Sequence, residues 1–249
     1  MMFYNDVAAD TQERIRGLDW ESLLGGKTFE VTSRPKTIDT LRQKLQRGIS
    51  TPLPNIQDIA GVRFEAEMSL DEQDAVVTAI VGLFGHVSET RVKDLRLDPH
   101  SGYRAVHIWL RLPVRVEVQV RTHLQGEWAN MYESLADVLG RDIRYDVLPA
   151  GPGERKAVRA LQELSTQTIT NLERLPNSLP KSDEQFRVVK DWFHALPRDQ
   201  QVDHLAEYRE AERVHTNLRT ALRDLEADLR ATIAKHTGTF DNMRNNGRK

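Results

Sequence analysis

The chain has 249 residues, with 35 lysine and arginine against 37 aspartate and glutamate and a net charge of -2. Zero cysteines exclude disulfides, thiolate metal sites and a cysteine nucleophile, and fit a reducing compartment. No apolar run reaches membrane-spanning length and MMFYNDVAADTQ lacks the basic-then-apolar order of a signal peptide, so the expectation is a cytoplasmic chain without membrane contact, long enough to bury a real core.

In chain order, residues 5–24 read as a helix with Ile15, Leu18, Leu23 and Leu24 toward one side, ended by Gly25 and Gly26. Residues 29–31 suit a short extended piece. Thr37 can cap a helix to about Arg47 with Ile38, Leu41 and Leu45 as its stripe, and a strand begins near Ile59. Ser69 and Glu72 form a capping-box pattern, which predicts a helix carrying Val76, Val77, Ile80, Val81 and Phe84 inward and ending at Gly85. Strands are expected at 86–93 and 105–112, and Pro113 then turns the chain into VEVQVRT, Val116 to Thr122. A strand points successive side chains to opposite faces, so Val116, Val118 and Val120 face a core while Glu117, Gln119 and Arg121 share the other side.

From Leu124 onward the periodicity is helical, over 124–139, 154–175, 183–195 and about 199–235, with a polar tail from Thr237 expected to fray. PAGPG at 149–153 marks the boundary between a mixed front, 1–148, and a helical extension, 154–249. The last helix spaces Ala211, Val214, Leu218, Ala221 or Leu222, Leu225 and Leu229 by threes and fours. That seam either packs on its own domain or forms a homo-oligomer or partner interface.

Charge is segregated. Residues 34–47 hold five bases against one acid, and 91–121 hold seven against three, a pattern that suits an anionic ligand. A P-loop, GxGxxG, HExxH and a nucleophile elbow are all absent from the sequence. What remains is Asp58 before a strand and Glu117 on a later one, two carboxylates of the kind that hold Mg²⁺ together with phosphate oxygens. Arg34, Lys36, Lys44, Arg63 and Arg121 are bases that can neutralise a polyphosphate, and Tyr103, beside Gly102, offers a ring for a base to stack on. Each has a plainer reading: Asp58 capping a turn, Glu117 pairing with Arg115, Tyr103 in a core.

Five pieces in order carry a resemblance: SRPKT with Lys44, DIAGVR at 58–63, GYRAVH at 102–107, EVQVRT at 117–122 and Trp128-Ala129. Together they resemble the RelA/SpoT family of alarmone synthetases. The resemblance implies an α+β, nucleotidyltransferase-like mixed sheet of about five strands flanked by helices, with an all-helical C-terminal extension. It implies transfer of the β,γ-pyrophosphate of ATP to a ribose 3′-hydroxyl, with Mg²⁺ as cofactor and ATP as donor. Arg34 and Arg63 would hold adenine, Lys36 and Lys44 the phosphates, and Asp58 and Glu117 the metal, with Glu117 also activating the acceptor. Tyr103, His107, Lys93, His100, Gln119 and Arg121 would form the acceptor side.

The departures from the family pattern fall on that acceptor side. The basic residue usual before Gly-Tyr is missing, His100 being nearest; LysAspLeu at 93–95 stands where Lys-Asp-Tyr is usual; and Gly126 stands where many synthetases have a guanine-contacting asparagine. Three acceptor readings follow from the resemblance: GDP or GTP, an adenine nucleotide, or the 3′ CCA end of tRNA, the last being toxin chemistry that would bring a cognate antitoxin. A catalytically silent nucleotide sensor is the reading of a different class.

Overall fold

The structure is a computed structural model that describes residues 2–33, 59–85 and 89–246. The sequence-predicted helix at 37–47 lies outside these residues, as do Arg34, Lys36, Lys44 and Asp58. Helix α1 (Met2–Arg16) buries Ala8, Thr11 and Ile15, three to four residues apart. The single helix expected over 5–24 is two, because Gly17 and Leu18 leave the helix and Asp19 caps a second one, α2 (Trp20–Leu24), through a bond from Ser22 N–H.

Among the described residues five strands form one mixed sheet: β1 (Phe29–Ser33), β2 (Ala60–Ala66), β3 (Thr90–Asp94), β4 (Val106–Arg111) and β5 (Arg115–Thr122), in the order β1-β2-β5-β4-β3. β2 and β5 run parallel and the other neighbours antiparallel. The expected α+β sheet of about five strands is therefore what the chain forms. Between β2 and β3 lies α3 (Leu70–Phe84), which opens on the predicted capping box: Ser69 Oγ accepts from Glu72 N–H, and Glu72 Oε2 accepts from Ser69 N–H.

One face of the sheet is apolar. Val62, Phe64, Ile108, Leu110, Val116, Val118 and Val120 pack with Ile15, Trp20, Val76, Ile80 and Phe84 from α1, α2 and α3. Full burial of such side chains stabilises by roughly 1.5–3 kcal/mol each. The alternation of β2, and of β5 as far as Val120, leaves Arg63, Glu65, Glu117 and Gln119 on the opposite face.

After β5 the chain enters α4 (His123–Leu139), capped by Thr122 with Gln125 completing a second capping box. A 3-10 turn (Arg141–Tyr145) leads to α5 (Pro152–Glu163), a π-helical segment (Leu164–Ile169), α6 (Thr170–Arg174), a 3-10 turn (Leu175–Ser178), α7 (Leu179–Ala195) and α8 (Arg198–Asn246). Leu124, Trp128, Met131, Tyr132 and Leu135 of α4 share a second core with Val158, Leu161, Ile169, Leu172, Leu229 and Ile233. The seam of α8 is thus divided: Leu229 packs inward, while Val214, Leu218 and Leu225 are exposed. The tail expected to fray from Thr237 is helical to Asn246. Among the described residues no helix is long and apolar enough to cross a membrane.

Candidate active site

The register of the strands sets side chains of the polar face in transverse rows. One row runs Thr32, Arg63, Gln119, His107, Lys93 across all five strands. The next runs Gly61, Glu117, Trp109, Arg91, and a third sets Glu30, Glu65 and Arg121 side by side. Gly61 has no side chain, so β2 adds no bulk beside Glu117.

Glu117 is the hub of these rows. Its Oε1 receives His107 Nδ1 and Trp109 Nε1, both at 3.1 Å, and its Oε2 receives Gln119 Nε2 at 2.9 Å. Burial pushes the carboxyl up, but the bonds from His107, Gln119 and Trp109 and the charge on His107 outweigh it, so Glu117 titrates below the usual carboxylate range. The pairing with Arg115 considered from the sequence gives way to these three partners. His107 Nε2 lies 3.1 Å from the Tyr103 hydroxyl. An ionised carboxylate can only accept, so His107 donates from Nδ1 and, when neutral, accepts the Tyr103 proton at Nε2. Tyr103 is half-buried against the second core, and burial raises its hydroxyl pKa, with Arg121 the largest opposing influence.

Arg121 is 2 % exposed, and its Nη2 lies 2.5 Å from Glu65 Oε1, with Arg63 Nε 3.7 Å from the same oxygen. The contact to Arg121 is an ion pair whose angles do not make a hydrogen bond. Arg121 Nε and Nη2 and Glu65 Oε1 therefore have no hydrogen-bond partner among the described residues. Buried polar atoms in that state point to a ligand or water as the missing partner.

The structure thus groups Glu117, His107, Tyr103, Gln119, Arg121 and Arg63 of the sequence-predicted set. Lys93 ends the His107 row on β3 and is exposed. His100 is exposed, with its Nδ1 2.8 Å from Asp146 Oδ2 and its carbonyl accepting from Tyr103 N–H. Two residues that touch Glu117 or Arg121 on the polar face were not foreseen, Trp109 and Glu65. Both were signalled by alternation, since each sits two positions from a residue that was named (His107 and Arg63).

The arginine of GYR has a structural task. Arg104 is 2 % exposed and pairs with buried Glu173 at 2.7 Å, while its Nη1 donates to the Ser165 carbonyl in the π-helical segment at 3.2 Å. Glu173 also accepts from Thr122 and Gln125, and Gln125 exchanges bonds with Gln73 of α3. The helical extension therefore holds the loop that carries Tyr103.

Residues 33–136 match the family described as the region found in RelA / SpoT proteins. This segment is a RelA/SpoT region. All the polar-face residues named above on β2 to β5 fall inside it, whereas Ser165 and Glu173 lie beyond it. Uncharacterized proteins of Mycobacterium tuberculosis and Mycobacterium bovis are each 48% identical over 165 residues, covering 66% of this chain and 59% of theirs. The chain thus spans about three-fifths of the length of these curated relatives. Crystal structures of the small alarmone synthetases 1 and 2 from Bacillus subtilis share the fold, each with TM-score 0.55 and 22% identity. They cover 73% and 72% of this chain, and 94% and 95% of their own.

Proposed function

We propose that the RelA/SpoT region catalyses transfer of the β,γ-pyrophosphate of ATP to the ribose 3′-hydroxyl of a guanine nucleotide, GDP or GTP, giving a (p)ppGpp-type product. The observation that supports this most is Glu117: a half-buried carboxylate held ionised by three side-chain donors, on a polar sheet face rimmed by Arg63, Arg121 and Lys93.

In this reading Glu117 accepts the proton of the 3′-hydroxyl. The freed oxygen attacks the β-phosphorus, and the bond from that phosphorus to the α,β-bridging oxygen breaks, so AMP leaves with the electron pair. His107 fixes the Glu117 carboxylate on one side, and Tyr103 supports His107 while presenting its ring to the acceptor base. Phosphoryl chemistry of this kind depends on positioning and charge neutralisation more than on covalent help from the protein. Three donors on Glu117 leave about one of its roughly four lone-pair sites open, so one donor gives way when the carboxylate both meets the metal and accepts the 3′-hydroxyl proton. No group of three His, Asp or Glu side chains that could hold a metal converges among the described residues. Mg²⁺ would therefore take one bond from Glu117, a second from Asp58 and the rest from phosphate oxygens, and would neutralise phosphate charge.

The test offers γ-labelled ATP and Mg²⁺ to the purified protein with GDP, GTP, adenine nucleotides and deacylated tRNA in parallel. Label is expected in GDP or GTP and lost by at least two orders of magnitude in Glu117→Gln. Label in tRNA alone would move the acceptor to its 3′ end and make the protein a translation-blocking toxin. Transfer by Glu117→Gln at the wild-type rate would remove the base from the mechanism, and no transfer to any acceptor would leave a nucleotide-sensing module.

A further inference from the structure

Gly126, in the first turn of α4, stands directly over Glu65. A Cβ placed on Gly126 would lie 2.6 Å from Glu65 Oε1, 2.9 Å from its Cδ and 3.2 Å from its Oε2. The carboxylate therefore fills the space that a side chain at 126 would need. It sits there beside Arg121, and the Tyr103 hydroxyl lies within electrostatic reach of Arg121, Glu117, Arg63 and Glu65. The ring that would stack on an acceptor base and the Glu65–Arg121 pair are thus near enough for the charges of the pair to act on the ring's hydroxyl.

We propose that Glu65, seated by the bare Gly126 and backed by Arg121, reads the acceptor base and selects guanine. This rests on the reading of the pocket as the acceptor side of a pyrophosphotransferase. A carboxylate offers two adjacent acceptors and no donor. Of the four bases only guanine presents two adjacent donors, N1–H and the N2 amino group, on one edge. Adenine and cytosine pair one amino donor with a ring-nitrogen acceptor, which would face a carboxylate oxygen lone pair to lone pair. Uracil sets one N–H between two carbonyls. The Arg121 N–H groups left without a hydrogen-bond partner match the remaining guanine acceptors, O6 and N7, the edge that arginine characteristically takes. A site whose polar groups stay unpaired with the wrong substrate discriminates far more strongly than an apolar slot of the same shape.

Two substitutions separate this role from a structural one. Glu65→Gln keeps the shape but replaces one acceptor by a donor. Gly126→Ala leaves the Glu65 side chain present but pushes its carboxylate off Arg121, while an alanine in a helical turn favours the helix. Binding of GDP and ADP by calorimetry, and transfer to each from labelled ATP, are measured for all three proteins. The wild type is expected to prefer GDP, and both variants to lose at least about tenfold of that preference, with thermal unfolding showing both variants folded at the assay temperature. Preference for GDP in binding that depends on Glu65, without transfer to any acceptor, would uphold base reading and overturn the pyrophosphotransferase. Transfer to adenine nucleotides or tRNA, or a GDP preference unchanged in both variants, would overturn the role of Glu65 and leave the transfer chemistry standing. A wild type that binds neither nucleotide overturns it as well.

Discussion

Trp109 donates its indole N–H to Glu117 Oε1 across the β4–β5 pair at 3.1 Å, the same distance from which His107 approaches that oxygen. The two donors differ in kind. An indole N–H is a donor at every accessible pH, whereas imidazole changes its offer with its protonation. Trp109 is thus the constant part of what keeps Glu117 ionised. Trp109→Phe retains the bulk and removes the donor. It is expected to raise the Glu117 pKa and to cost about 1.5–3 kcal/mol in urea unfolding, the range for a hydrogen bond to a charged group. A ¹³C carboxyl titration of Glu117 that does not move in Trp109→Phe would show that His107 and Gln119 suffice.

The lowered pKa of Glu117 makes stability depend on pH with a definite sign. Because the folded value lies below the ordinary 4.5, the group contributes its full stabilisation above that pH and loses it as pH falls through the folded value. Other acids behave alike, Asp94 beside Arg96 among them, so the whole-protein curve does not isolate Glu117. The difference between wild type and Glu117→Gln does. That difference in unfolding free energy is expected to be constant above about pH 5 and to shrink steadily as the pH falls below the ordinary carboxylate range. A difference that is flat across the range would place Glu117 at its unperturbed value.

Much of this architecture is written locally. Ser69 and Glu72 announce the start of α3, and the alternation of VEVQVRT assigns Glu117, Gln119 and Arg121 to one face before any neighbour is known. Local patterns have no way of saying which rows of different strands align. That Glu117 faces Trp109 and Gly61, rather than Arg115, follows from the pairing of β5 with β2 and β4 and is a property of register. The helical extension was legible as helices but not as support. The Arg104–Glu173 pair joins positions 69 residues apart, and nothing near either residue signals it. The side-chain partner of His100, Asp146, is likewise distant in sequence and unsignalled by it.

The buried Arg104–Glu173 pair is expected to be costly to break and much less costly to replace. Both side chains are 2% exposed, so Glu173→Ala strands a guanidinium in the interior. The expected loss is about 3–5 kcal/mol, while converting both partners to apolar residues of similar volume is expected to restore most of it. Denaturant unfolding of the two single variants and the double variant gives the coupling directly. Additive single losses would mean that the network through Thr122 and Gln125, rather than this pair, carries the stability.

Gly102 is a second bare position near Tyr103, and alanine there meets stiffer neighbours than at Gly126, where it meets the free end of Glu65. Gly102 has φ +82, and a Cβ there would lie 3.0 Å from both Gln162 Cα and Trp128 Cζ2. Neither neighbour is the free end of a flexible chain: one is backbone of α5, and the other is an indole whose Nε1 donates to the Leu161 carbonyl at 2.7 Å. The left-handed backbone costs about 1–2 kcal/mol for a residue with a side chain, and overpacking adds about 1–3. Gly102→Ala is therefore expected to lose about 2–5 kcal/mol and to shift Tyr103, which follows it, away from His107. Thermal unfolding reads the first effect, and the rise in acceptor KM relative to any change in kcat reads the second. A Gly102→Ala protein with unchanged melting and unchanged KM would mean that the loop is not wedged between α4 and α5 as the structure has it.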